Sequence, residues 1–115
     1  VSYNYLNYTR KDIDMKKESI EISKVLTTST AHIDKDTALL LTKWGTYGKD
    51  ESPFSVKSVR YGFYIDIESV DERELDNISS ECLKNLIRFT SAMDCDVLCL
   101  DSDATPLSFF PTYDW

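Results

Sequence analysis

The sequence predicts an α+β domain: two helices packed on one face of a four-stranded antiparallel sheet, in the ferredoxin-like order β-α-β-β-α-β. Three observations predict it. Strand-like and helix-like hydrophobic periods alternate along the chain in that order. Two of the strand-like runs are close enough to form a hairpin. The 115 residues suit one domain, and only 3 Gly and 3 Pro leave no long flexible linker inside it. Residues 1–18 read as an N-terminal extension, expected to be mobile, and 19–115 as the single domain. Met15 opens "MKKESIEISK", which reads like a natural start.

"SIEISKVLTTST" is rich in β-branched residues and predicts a strand over 19–29. Asp34 then suits an N-cap, with Ile33 and Ala38 spaced as a hydrophobic staple. Ala38, Leu41 and Trp44 form a helical stripe, and Gly45 suits the stop, so a helix is predicted over 35–44. "TYGKDESP" reads as a loop. "SVKSV" and "GFYIDI" predict a hairpin turning near Arg60–Gly62, with Phe63, Ile65 and Ile67 sharing one face. A second helix is predicted over 70–92. Ser69 and Glu72 fit a capping box, and Leu75, Ile78, Cys82, Leu86, Phe89 and Met93 follow at helical spacing. "DVLCL" predicts a last short strand. The aromatic residues of "DSDATPLSFFPTYDW" are expected to fold back on the core.

Charge is unevenly placed. The chain carries −7, with residues 1–50 near neutral and residues 51–115 holding 13 Asp/Glu against 5 Lys/Arg. An acidic half repels phosphates, so direct nucleic-acid binding is disfavoured and a basic protein partner is favoured. No apolar run approaches the ~18 residues a bilayer demands, and no signal peptide is present. Cys82, Cys95 and Cys99 are an odd set, which argues for reduced thiols and a cytoplasmic protein.

In ferredoxin-like order, the first strand lies between the strand preceding the second helix and the last strand. Those two strands run parallel, with C-terminal ends on one edge, roughly 10 Å apart. Asp66, Glu68, Asp71, Asp101 and Asp103 would then gather on one acidic edge, the expected partner-binding surface, with Tyr113 and Trp115 adding apolar contact. The same geometry opens a class-different alternative, a metal-dependent hydrolase using Asp66, Asp101 and Asp103, since hard cations take carboxylate oxygens. A small-ligand sponge with a pocket under the aromatic tail is another. Ser29 and His32 are too few for a nucleophilic triad and read as turn residues. The cysteines lack structural-zinc spacing. No phosphate-binding glycine loop is present. No cofactor and no metal are expected.

"STAHI", "YGFYIDI", "LIRFTSAMDCDVLCLDSDA" and "PTYDW" occur in this order. Over about residues 28–115 the chain resembles a family of small acidic bacterial proteins from plasmids, prophages and genomic islands. That family shows an S-T-x-H-I start and a P-x-Y-x-W end. Where members have Leu before the last proline, this chain has Phe110. The resemblance assigns no catalytic residue. It implies a setting in which small proteins bind and block another protein, as anti-restriction, anti-CRISPR and toxin-immunity proteins do. The partner expected is accordingly a defence nuclease complex or a toxin, with no enzymatic activity in the chain itself.

Overall fold

The computed structural model describes residues 9–11, 20–48, 52–68 and 70–115. Most of the expected extension, and the capping-box residue Ser69, lie outside the described residues. The elements are β1 (Val25–Ser29), a 3-10 turn (Thr30–His32), α1 (Lys35–Tyr47), β2 (Val56–Val59), β3 (Gly62–Asp66), α2 (Glu72–Asp76), α3 (Glu81–Ala92) and β4 (Val97–Asp101). The fold is α+β: among the described residues these three α-helices pack with a four-stranded sheet.

The sheet departs from the expected one. Its order is β1-β4-β3-β2, with β1 parallel to β4 and the other pairs antiparallel. It is therefore mixed, and β4, not β1, sits beside β3. Burial explains the choice. β4 is "VLCLD", and Val97, Leu98 and Leu100 are all buried. A strand apolar on both faces belongs inside a sheet. β1 is "VLTTS", with Val25 and Thr27 exposed, and takes the edge.

The core lies on one face of the sheet. Phe63, Ile65, Leu98 and Leu100 meet Ala38, Leu41 and Trp44 of α1, Leu75 of α2, and Leu83, Leu86 and Ile87 of α3. Trp44 stands edge-on to Phe54, with ring centroids 5.4 Å apart. The opposite face carries Lys57, Tyr64 and Cys99.

Local chemistry sets the element ends. The Asp34 carboxylate accepts the N–H of Thr37 at 2.8 Å and caps α1, as expected. The helix then runs through Gly45 instead of stopping there. A Cβ at Gly45 would lie 3.1 Å from the main-chain nitrogen of Ser58, so this glycine lets α1 lean on β2. Gly48, at φ 71°, takes the left-handed conformation and ends the helix.

The single helix expected over 70–92 is two. Asp71 caps α2 by accepting the Glu74 N–H, and Ser80 caps α3 by accepting that of Leu83. Between them, "NISS" offers side chains that compete with helical hydrogen bonds. Ile78 drops from this break into the core. The buried face of α3 is Leu83, Leu86, Ile87 and Thr90, so the expected stripe is out of phase. Cys82 and Phe89 are half-buried and Met93 is exposed. Among the described residues no helix is long and apolar enough to cross a membrane.

Candidate functional site

The end of the sheet where β1 and β4 finish is built from both extremes of the described domain. Ser29 Oγ accepts the Ala31 N–H and starts the 3-10 turn. The turn buries His32, which is 2% exposed. Leu107 N–H donates to His32 Nε2 at 2.9 Å, so Nε2 is the unprotonated nitrogen. Nδ1–H then donates to the Pro111 carbonyl at 2.9 Å. Tyr113 N–H donates to the Ala31 carbonyl at 2.8 Å, and the Trp115 indole N–H to that of Ile33 at 2.9 Å. These contacts strap residues 107–115 across the turn. Phe110 packs against His32 and, at 5.1 Å between centroids, edge-on to Phe89. The expected folding back of the aromatic segment is therefore present, with Phe110 packed against the core.

The strap is fixed, yet much of its aromatic surface faces water. Phe109 is 66% exposed, Trp115 59% and Tyr113 38%. The Tyr113 phenol is held above its usual range, chiefly by burial, with Cys82 and Asp34 nearby adding to the effect. Two carboxylates of the expected set share this end. Asp101 pairs with Ser29 of β1 and with Gly62 of β3, and its carboxylate accepts the Asp103 N–H at 2.8 Å. Ser102 N–H donates to the Tyr61 carbonyl, tying the same turn to the hairpin.

Asp66, Glu68 and Asp71 are elsewhere. Asp66 pairs with Val97, the first residue of β4, while Asp101 is its last. Four residues of strand separate them, roughly 13 Å. Asp66 accepts the Glu68 N–H, and Asp71 caps α2. The five carboxylates thus do not converge on one edge. The reason is topological: neighbouring antiparallel strands send their C-terminal ends in opposite directions. The hydrolase centre falls with it, because Asp66 cannot share an ion with Asp101 and Asp103 at ligand distances of about 2.0–2.6 Å. Among the described residues no three His, Cys, Asp or Glu side chains gather as a metal site.

The remaining reactive groups are occupied locally. Ser29 caps its turn, and both nitrogens of His32 are engaged by the strap. The three thiols are free. Cys82 touches Thr37 and Ser80, whose hydroxyls lie 2.6 Å apart. Burial pushes the Cys99 thiol up.

The clamping role of His32 is absent from the sequence-based reading, whereas Phe109 belongs to the aromatic tail that the sequence offers as a binding surface. The only sequence signal for the clamp is the joint presence of "STAHI" and "PTYDW", which the fold brings into contact. The family described as "Family of unknown function (DUF5983) C-terminal domain" matches residues 25–115, from the first residue of β1 to the end of the strap. No curated protein and no solved structure shows significant similarity.

Proposed function

The chain belongs to the DUF5983 family, which passes on no chemistry, so we propose its function from its own surface: a non-enzymatic acidic protein that binds and inhibits a basic partner protein in the cytoplasm. The observation that carries this reading is the strap. Trp115, Tyr113 and Phe109 are exposed, yet hydrogen bonds and ring contacts along the strap already restrain it. Pre-ordered aromatic side chains lose little entropy on docking and are the residue types that dominate interface energies. Asp101 and Asp103 at the same end, with a chain charge of −7, supply steering toward a basic site.

The contact surface is accordingly narrowed to Asp101, Asp103, Phe109, Tyr113 and Trp115. The setting is that of a mobile-element counter-defence or toxin-immunity protein, with a defence nuclease complex or a toxin as the partner. The free thiols suit a reducing compartment. The engagement of Ser29 and His32 in structural bonds supports the absence of nucleophilic catalysis.

The test is affinity capture from the native host with the unaltered chain and three variants. Partners retained by the unaltered protein should be lost with F109A/W115A and weakened by salt and by D101N/D103N. They should be kept by D66N/D71N, at the opposite end. Equal recovery with all forms sinks the proposal. A captured nuclease should also lose activity in proportion to added protein.

A further inference from the structure

β1 forms one edge of the sheet and, among the described residues, pairs with β4 alone. The ladder fixes which way its main chain points. Lys24 accepts the Val97 N–H through its carbonyl at 3.1 Å, and its own N–H reaches the Asp96 carboxylate at 3.0 Å. Both groups of Lys24 therefore face β4. Direction alternates along a strand, so Leu26 and Thr28 face β4 too, and the N–H and C=O of Val25 and Thr27 point outward. Among the described residues, neither main chain makes a hydrogen bond outside the β1–β4 ladder.

The two edges of the sheet differ. β2 carries Lys57 and lies against α1 at Ser58. A lysine and a covering helix are the usual guards of an edge. β1 has neither. Residues 25–33, "VLTTSTAHI", contain no Asp, Glu, Lys, Arg or Pro, in a chain that is 29% charged. Val25 is 42% exposed. Just before β1, Glu21, Glu68 and Asp96 line a cavity of about 200 Å³ with Ile22 and Ser23. Even with Lys24 counted, this mouth is negative.

We propose that β1 accepts an extended segment of a partner protein as a fifth strand, and that a Lys or Arg of that segment enters the Glu21–Glu68–Asp96 cavity. Main-chain pairing supplies the hold, and the carboxylates at one end set register and select a basic segment. A second copy of this chain is disfavoured, because its own acidic mouth offers no complementary charge. The choice of a protein partner rests on the function proposed above. The surface is a different one, so the two stand or fall separately.

The probe is a synthetic acetyl-KVTVTVTK-amide, followed by amide hydrogen exchange in the full chain. The peptide should slow exchange at Val25 and Thr27. Thr27→Pro removes an outward N–H and leaves the β4 side of the ladder intact, so it should weaken the peptide by about tenfold or more. If that variant does not fold, Val25→Lys tests the same edge by charge repulsion. E21Q/E68Q should flatten the salt dependence, and F109A/W115A should change nothing. No slowing at Val25 and Thr27 with about 1 mM peptide overturns the proposal. So does protection of both amides in the free chain, since a second copy or another segment of the chain would then hold the edge. Loss of peptide binding in F109A/W115A overturns it as well.

Discussion

A Cβ at residue 62 would run into the carbonyl of Leu100, because β3 and β4 approach closely where Gly62 pairs with Asp101. The obstacle is main chain in the middle of the sheet, which cannot swing aside. Gly62→Ala should therefore cost roughly 2–4 kcal/mol by urea denaturation, at the upper end for one methyl group. Thr28 presents the opposite case. It is fully buried on the core face of β1, and its hydroxyl finds no partner among the described residues. A buried hydroxyl without a hydrogen bond is a cost carried by the native state. Thr28→Val keeps the shape and should raise stability by about 1 kcal/mol, read in the same denaturation experiment. An unchanged or lower midpoint would mean that the hydroxyl has a partner after all.

Asp34 connects a cap to a titration. Its bonds to Thr37, the side-chain bond foremost, hold the carboxyl below its ordinary value of 3.8. A group depressed in the folded state stabilises fully above its unfolded value, and that contribution disappears as pH falls through the folded one. Asp34→Ala should cost about 1 kcal/mol at neutral pH. The gap between the two proteins should narrow on acidification below about pH 4, checked by thermal melts across that window. A constant gap would show that the cap works without the charge. This cap was legible in the sequence, as were the hairpin and the last strand, since each depends on neighbouring residues. Gly45 misleads because the reason for a glycine there is Ser58, on another element. The break at residues 77–80 misleads because the apolar spacing continues through it, while "NISS" and the buried Ile78 decide otherwise. Asp71, expected on the acidic edge, is the cap of α2.

Which strand lies beside which is not written in local patterns, and the misplaced acidic edge follows from that alone. With β4 inside and β1 outside, the carboxylates divide between the two ends of the sheet, and only Asp101 and Asp103 keep company with the aromatic strap. What survives of the expected surface is that half, joined by Phe109 of the same aromatic tail. The chain still carries −7, and like charges spread over a small surface repel. Sodium chloride at about 0.15 M shortens the screening length to about 8 Å, so the melting temperature should rise modestly from its low-salt value. A fall would show that attractive pairs such as Arg88 with Glu72 and Asp76 outweigh the repulsion.

The placement of β1 against β4 also has a consequence for synthesis. During translation the first strand emerges long before the strand it pairs with, and "STAHI" waits for "PTYDW" in the same way. The nascent chain can close its hairpin early. The sheet cannot gain its fourth strand, nor His32 its cover, until residues 97–115 have left the ribosomal tunnel. A product terminated before residue 97 leaves β1 without β4 to pair with.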